Sequence, residues 1–123
     1  MRIFKKRKDK MINWQTLDSK EQLKTIIEKS KHRPCAIFKH STRCPVSYRA
    51  KQALENEWDL TEDKIEIYYL DLIANKKLSQ KIADTFKVAH QSPQILVIKG
   101  GRTIYDASHF NISVAEIKAV LSE

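Results

Sequence analysis

Apolar side chains recur along this chain in two alternating rhythms. In "SKEQLKTIIEKSKH" (19–32), Leu23, Ile26 and Ile27 form one stripe at helical spacing. Ser19 stands three residues before Gln22, the pattern of a capping box. "PCAIFKH" (34–40) is short, apolar and opened by proline, which predicts a buried strand. "VSYRAKQALENEW" (46–58) returns to helical spacing, with Val46, Ala50, Ala53, Leu54 and Trp58 broadly on one side. "KIEIYYLDL" (64–72) alternates and is rich in Ile and Tyr, as a strand is. "NKKLSQKIADTFKV" (75–88) is helical, with Leu78, Ile82 and Phe86 four apart. "PQILVIKGGRTIYDA" (93–107) is a strand, a Gly100-Gly101 turn and a second strand, a strong hairpin signal. "SVAEIKAVLSE" (113–123) pairs Ser113 with Glu116 as a second capping box and turns Val114, Ile117 and Leu121 inward. A short strand at "NWQTL" (13–17) completes the series.

This order predicts an α/β domain. The early βαβ units require parallel strands joined by right-handed crossovers. The closing hairpin adds antiparallel strands. The result is a central mixed β-sheet with helices on both faces, a three-layer α/β/α sandwich.

Composition narrows the class. The chain has 123 residues, 41% hydrophobic and 31% charged, suited to one domain with one core. No apolar run approaches the roughly 20 residues that span a bilayer. The start, "MRIFKKRKDK", is basic and is followed by no apolar stretch of signal-peptide length. Two cysteines in this length, with no such leader, point to the cytoplasm.

The net charge is +8, and it is unevenly placed. Residues 1–10 hold six basic residues and one acidic, a net +5, so the other 113 carry +3. Residues 1–11 are therefore expected to be a mobile, solvated basic arm, and residues 12–123 the domain. The arm buries too little apolar surface to offset the entropy of ordering it. Weak attraction to anions is the alternative use of such a segment. Outside it, no broad basic face with interleaved aromatics is evident, so no nucleic-acid partner is expected.

The candidate chemistry lies in "RCPVS" (43–47). Cys44 follows the strand ending near His40 and precedes a helix opened by Pro45, and proline fits the first helical position. Cys44 then stands at or beside the N-cap, near unpaired amides and the positive end of the helix dipole. Such a position favours the thiolate, which is the nucleophile. The competing expectation is a buried, inert cysteine.

Cys35 is a poor second thiol. From Cys35 to His40 alone, five strand steps span roughly 17 Å at about 3.3 Å each. A disulfide needs Cα atoms within about 7 Å. Cys35 is expected to be a small buried hydrophobe at the far end of the strand. Ser47 offers a hydrogen bond to the Cys44 sulfur but cannot resolve a disulfide. His32, His40, His90 and His109 show no zinc spacing, although His40 and His90 are placed near the site. No metal is expected.

The element order, the Cys-Pro-x-x motif opening the second long helix, and Ser92-Pro93 before a strand resemble the thioredoxin-like superfamily. More closely, the chain resembles the monothiol bacilliredoxins, the YtxJ-type family, whose signature is Thr-Cys-Pro-Ile-Ser. The likeness covers about residues 12–121 and departs at Arg43 for Thr and Val46 for Ile. It implies a thioredoxin-like fold and a cis proline at Pro93 facing Cys44. It further implies that Ser47 stands where dithiol members have a second cysteine, and that Pro45, Ser47, Ser92 and Pro93 support the site.

The implied activity is that of a thiol–disulfide oxidoreductase in redox homeostasis and stress response. Cys44 takes bacillithiol from S-bacillithiolated client proteins, with bacillithiol as co-substrate and no resident cofactor. A second small thiol or an external reductase regenerates Cys44, and the protein works as a cytoplasmic monomer. Bacillithiol carries malate carboxylates, so Lys39, Arg43 and Arg49 are candidate contacts. Rival readings are a glutaredoxin-like reductase for another small thiol and a non-catalytic interaction module. A cluster-binding dimer is disfavoured by Pro45, because such proteins usually carry Cys-Gly-Phe-Ser.

Overall fold

A computed structural model describes residues 12–123. The expected basic arm, 1–11, lies outside the described residues. Five strands form one sheet: β1 (Gln15–Thr16), β2 (Cys35–His40), β3 (Glu66–Asp71), β4 (Gln94–Lys99) and β5 (Arg102–Ser108). Four helices alternate with them: α1 (Glu21–Lys29), α2 (Pro45–Glu57), α3 (Lys76–Phe86) and α4 (Val114–Leu121). A 3-10 turn at His109–Asn111, which the apolar rhythm gives no hint of, joins β5 to α4.

The sheet order is β1-β3-β2-β4-β5. β1, β3 and β2 run parallel, β4 is antiparallel to β2, and β5 is antiparallel to β4. The mixed sheet expected from the order of elements is thus present. Gly100 and Gly101 have φ of 62° and 77°, the left-handed values that a two-residue hairpin turn demands at both central positions.

β2 is central, and all six of its residues are buried. It reads as a continuous apolar run because helices cover both faces of the sheet. On one face Ile37, Leu96 and Ile98 pack with Leu23 and Ile26 of α1 and Leu78, Ile82 and Phe86 of α3. On the other, Ala36, Phe38, Ile95 and Val97 pack with Ala50 and Leu54 of α2 and Val114 and Ile117 of α4. Ala53, expected on the inner side of α2, is exposed. Ile37 is 0% exposed. Ile37→Ala is expected to cost about 2–5 kcal/mol, from lost burial plus the cavity left behind, measurable as a lowered denaturation midpoint.

Each capping box is half formed. The Gln22 carboxamide oxygen accepts the Ser19 N–H at 2.9 Å, but the Gln22 N–H goes to the Ser19 carbonyl rather than its hydroxyl. Ser113 Oγ accepts the Glu116 N–H at 3.2 Å, while the Glu116 carboxylate is taken by the Tyr105 hydroxyl at 2.9 Å.

Register decides where chemistry gathers. His40 pairs with Asp71, and Lys39 pairs with Gln94. The carboxyl ends of β2 and β3 and the entry to β4 therefore lie at one edge of the sheet. The start of α2 follows β2 there, and the 3-10 turn follows β5 at the same edge.

Candidate active site

Cys44 is the N-cap of α2, in an extended conformation with φ −111° and ψ 118°, and Pro45 opens the helix. Its N–H donates to the Ser41 carbonyl at 3.2 Å, and its own carbonyl accepts the Tyr48 N–H at 3.1 Å. These bonds hold the turn between β2 and α2. Cys44 is partly exposed and stands at the positive end of the helix, and its side chain accepts no capping hydrogen bond from the first turn.

Cys35 opens β2 and is 0% exposed. Both cysteines are free. Burial, with a smaller contribution from the Glu66 carboxylate, pushes the Cys35 thiol up to about 11. Native protein treated with iodoacetamide at pH 8 is therefore expected to be alkylated at Cys44 and spared at Cys35, with Cys35 reacting only once denaturant opens the core. Equal labelling of the two in native buffer would contradict this.

Ser47 is 0% exposed, in the first turn of α2. Its Oγ accepts the Ser41 N–H at 2.9 Å and lies 2.7 Å from His40 Nδ1. The hydroxyl thus faces β2, and the hydrogen bond to Cys44 expected from spacing is not among those the structure forms. His40 is the partner that sequence reasoning left unassigned. Strand alternation carries the signal for it, because His40 shares a face with Ala36 and Phe38, the face that α2 covers. Its ring stacks with Phe38 and meets Tyr48 and Tyr69, with centroids 5.6–5.9 Å away. Burial first, and then the Lys51 ammonium, lower the His40 pKa, so the ring is neutral at pH 7.

The Ser92–Pro93 peptide is cis. Pro93 is buried, and its carbonyl accepts the His109 N–H at 3.0 Å, which ties the 3-10 turn to the proline loop. The shielded Ser92 hydroxyl has no partner among the described residues.

The three basic candidates separate. Arg43 and Arg49 are exposed, and neither pairs with a carboxylate among the described residues. Lys39 is 0% exposed. Its ammonium donates to the Ser79 carbonyl at 3.2 Å and meets His90 Nδ1 at 3.2 Å. Lys39, a candidate contact for the carboxylates of a small thiol, is therefore buried, unlike the two arginines. Alternation along β2 turns it to the face opposite α2, under α3. Desolvation lowers its pKa to about 8. His90 does lie near this edge, where its Nδ1 meets Lys39 Nζ and Ser79 Oγ, each at 3.2 Å. Two exposed aromatics also escaped sequence reasoning: Tyr48, 56% exposed on α2, and Phe110, 74% exposed on the 3-10 turn. No cluster of three His, Cys, Asp or Glu able to hold a metal occurs among the described residues.

Known structures share this fold. A thioredoxin-fold protein described as a proposed oxidoreductase is 28% identical, with 93% of this chain and 96% of that one aligned and a TM-score of 0.74. Thioredoxin from Malassezia sympodialis is 17% identical over 89% of each chain, TM-score 0.68. Thioredoxin from Fasciola hepatica is 16% identical over 88% of this chain and 96% of that one, TM-score 0.66. The chain is thus a thioredoxin-fold protein of the thiol oxidoreductase class. The family described as monothiol bacilliredoxin BrxC matches residues 15–117, and the chain belongs to that family.

Proposed function

We propose that this protein removes bacillithiol from S-bacillithiolated proteins through a mixed disulfide on Cys44. The observation that carries the reading is one partly exposed cysteine at a helix N-cap, with a serine in place of a second thiol, in a chain of the monothiol bacilliredoxin family. The Cys44 thiolate attacks the bacillithiol sulfur of the client's mixed disulfide. The S–S bond to the client breaks, the client leaves as a thiolate, and Cys44 carries bacillithiol.

Cys35 cannot resolve this adduct from inside the core, so a second thiol must come from outside the chain. A bacillithiol thiolate attacks the adduct, bacillithiol disulfide forms, and Cys44 is released as thiolate. An external dithiol reductase achieves the same release. Arg43 and Arg49 are the exposed cations available to the malate carboxylates. The reading places the reaction in the reducing cytoplasm. Among the described residues no helix is long and apolar enough to cross a membrane.

The test is intact mass spectrometry after exposure to bacillithiol disulfide, with glutathione disulfide in parallel. One bacillithiol per chain, mapped to Cys44 and transferred from a bacillithiolated client, supports the proposal. A preference for glutathione would turn the reading to a glutaredoxin-like reductase. No adduct with either would leave a non-catalytic module.

A further inference from the structure

We infer that the cavity at the start of α3 binds a small carboxylate, with His90 Nε2–H and the Lys76 ammonium each holding one of its oxygens. The site itself does not depend on the reading of Cys44. Only its use for bacillithiol rests on that reading.

The cavity has a volume of about 310 Å³ and is lined by Leu72, Ile73, Lys76, Ser79, Gln80 and His90. Leu72 and Ile73 follow the carboxyl end of β3, and α/β sheets take their ligands in crevices outside such strand ends. These two side chains give an apolar wall, and the polar groups around it are few, as in small-molecule pockets generally. No Asp or Glu is among the lining residues. Gln80 gives its amide to the Asp84 carboxylate at 3.1 Å. Lys76 is exposed and forms no ion pair among the described residues. Lys76 and His90 are therefore the donors left to a ligand.

Hydrogen bonding decides which way His90 presents its proton. Its Nδ1 lies 3.2 Å from Lys39 Nζ and 3.2 Å from Ser79 Oγ. An ammonium has donors only, so Nδ1 is the acceptor and shares its lone pair with the Ser79 hydroxyl. Burial first, and then the Lys39 ammonium, lower the His90 pKa, so the ring is neutral at pH 7. Its one proton is then on Nε2. Nδ1 faces the buried Lys39, so Nε2, across the ring, faces away from the core in an exposed residue that lines the cavity.

Lys39 makes an anion the matching ligand. It is 0% exposed, and among the described residues its partners are the Ser79 carbonyl and the His90 ring, both neutral. A buried charge without a counter-ion is costly. Its field polarises the His90 ring and strengthens Nε2–H as a donor to a negative oxygen. An anion beside His90 supplies the counter-charge that Lys39 lacks. Two donors match the two oxygens of a carboxylate, whereas a phosphate would leave oxygens unpaired. The malate arm of bacillithiol and a free dicarboxylate share this chemistry.

The experiment is an NMR titration of the full-length Cys44→Ala chain, labelled with 15N, which removes disulfide chemistry at that position. The free chain should show the His90 proton on Nε2. Malate, added at constant ionic strength, should shift the His90 Nε2 resonance saturably, and dimethyl malate, which has no carboxylate, should not. Followed through the backbone amides of α3, His90→Ala, Lys76→Ala and Lys39→Met should each weaken malate binding about tenfold, the size of one charge-assisted hydrogen bond. Tighter binding of reduced bacillithiol than of malate would assign the site to the small thiol's malate arm, and the reverse to a free dicarboxylate; both support the site. A His90 proton on Nδ1 would overturn the inference. So would the absence of a saturable shift with both malate and bacillithiol, or an equal response to dimethyl malate or inorganic phosphate. No thiol exchange is measured, so failure here is distinct from a failure of the proposed activity.

Discussion

Cys44→Ser is expected to abolish adduct formation with a small-thiol disulfide while leaving the fold intact. A serine hydroxyl is not a nucleophile toward sulfur in this setting, and Cys35 is too buried to take over. The fold should survive because serine is among the preferred N-cap residues, and the extended backbone of Cys44 suits a cap. The helix end is therefore expected to be at least as stable as in the parent. Intact mass after exposure to bacillithiol disulfide should fall from one adduct per chain to none, with an unchanged circular dichroism spectrum. Cys35→Ala should keep the adduct and lose about 1 kcal/mol or somewhat more, through removal of a small buried side chain. A Cys35→Ala protein that folds normally but no longer releases its adduct would show that Cys35 is more than a packing residue.

The second large effect concerns stability. Lys39→Met is expected to stabilise the protein near neutral pH. Lys39 is wholly buried, and among the described residues its hydrogen bonds go to a carbonyl and an imidazole and to no carboxylate. Its pKa falls from 10.5 to about 8 on burial. Below pH 8 both folded and unfolded chains carry the charge, and the folded state bears the full desolvation cost. Between pH 8 and 10.5 the unfolded chain still binds the proton that the folded chain has lost, so this contribution to stability rises with pH. The difference across that window is about 3 kcal/mol.

Met keeps the length of the apolar stem without the charge. The gain in Lys39→Met over the parent should be about 1–3 kcal/mol at pH 7, because the two lost hydrogen bonds offset part of it. It should shrink steadily toward pH 10.5. Cys35 works in the opposite sense above pH 9, since its raised pKa keeps a proton on the folded chain that the unfolded chain releases. The difference between variant and parent, measured by urea denaturation at several pH values, cancels that term. A variant less stable than the parent at pH 7 would show that the Ser79 and His90 contacts outweigh the buried charge.

Much of the site was legible along the chain. A strand, a cysteine, a proline and an amphipathic helix in that order already place a sulfur at a helix N-terminus, because each step depends only on local backbone preference. The distance from Cys35 to Cys44 was equally legible, since a strand has a fixed rise per residue. The hydrophobic stripes of α1 and α3 needed nothing more than their period. The 3-10 turn after β5 was not legible. Three residues carry no periodicity, and His109 adopts a positive φ of 56°, which is uncommon for any residue other than glycine.

The sequence by itself determined the element order, the mixed sheet and the place of Cys44, since local spacing and strand length are properties of the chain alone. The tertiary structure decided which helix covers each polar side chain of β2. Neighbouring residues Lys39 and His40 look alike in the chain, yet strand pleating sends one under α3 and the other against α2. It also decided the partners of Ser47. Its spacing from Cys44 suggested the sulfur, but the hydroxyl bonds to His40 and Ser41, which reach it only when β2 and the first turn of α2 are packed together. A buried hydroxyl takes whichever partners that packing brings within reach, and no local rule along the chain specifies them.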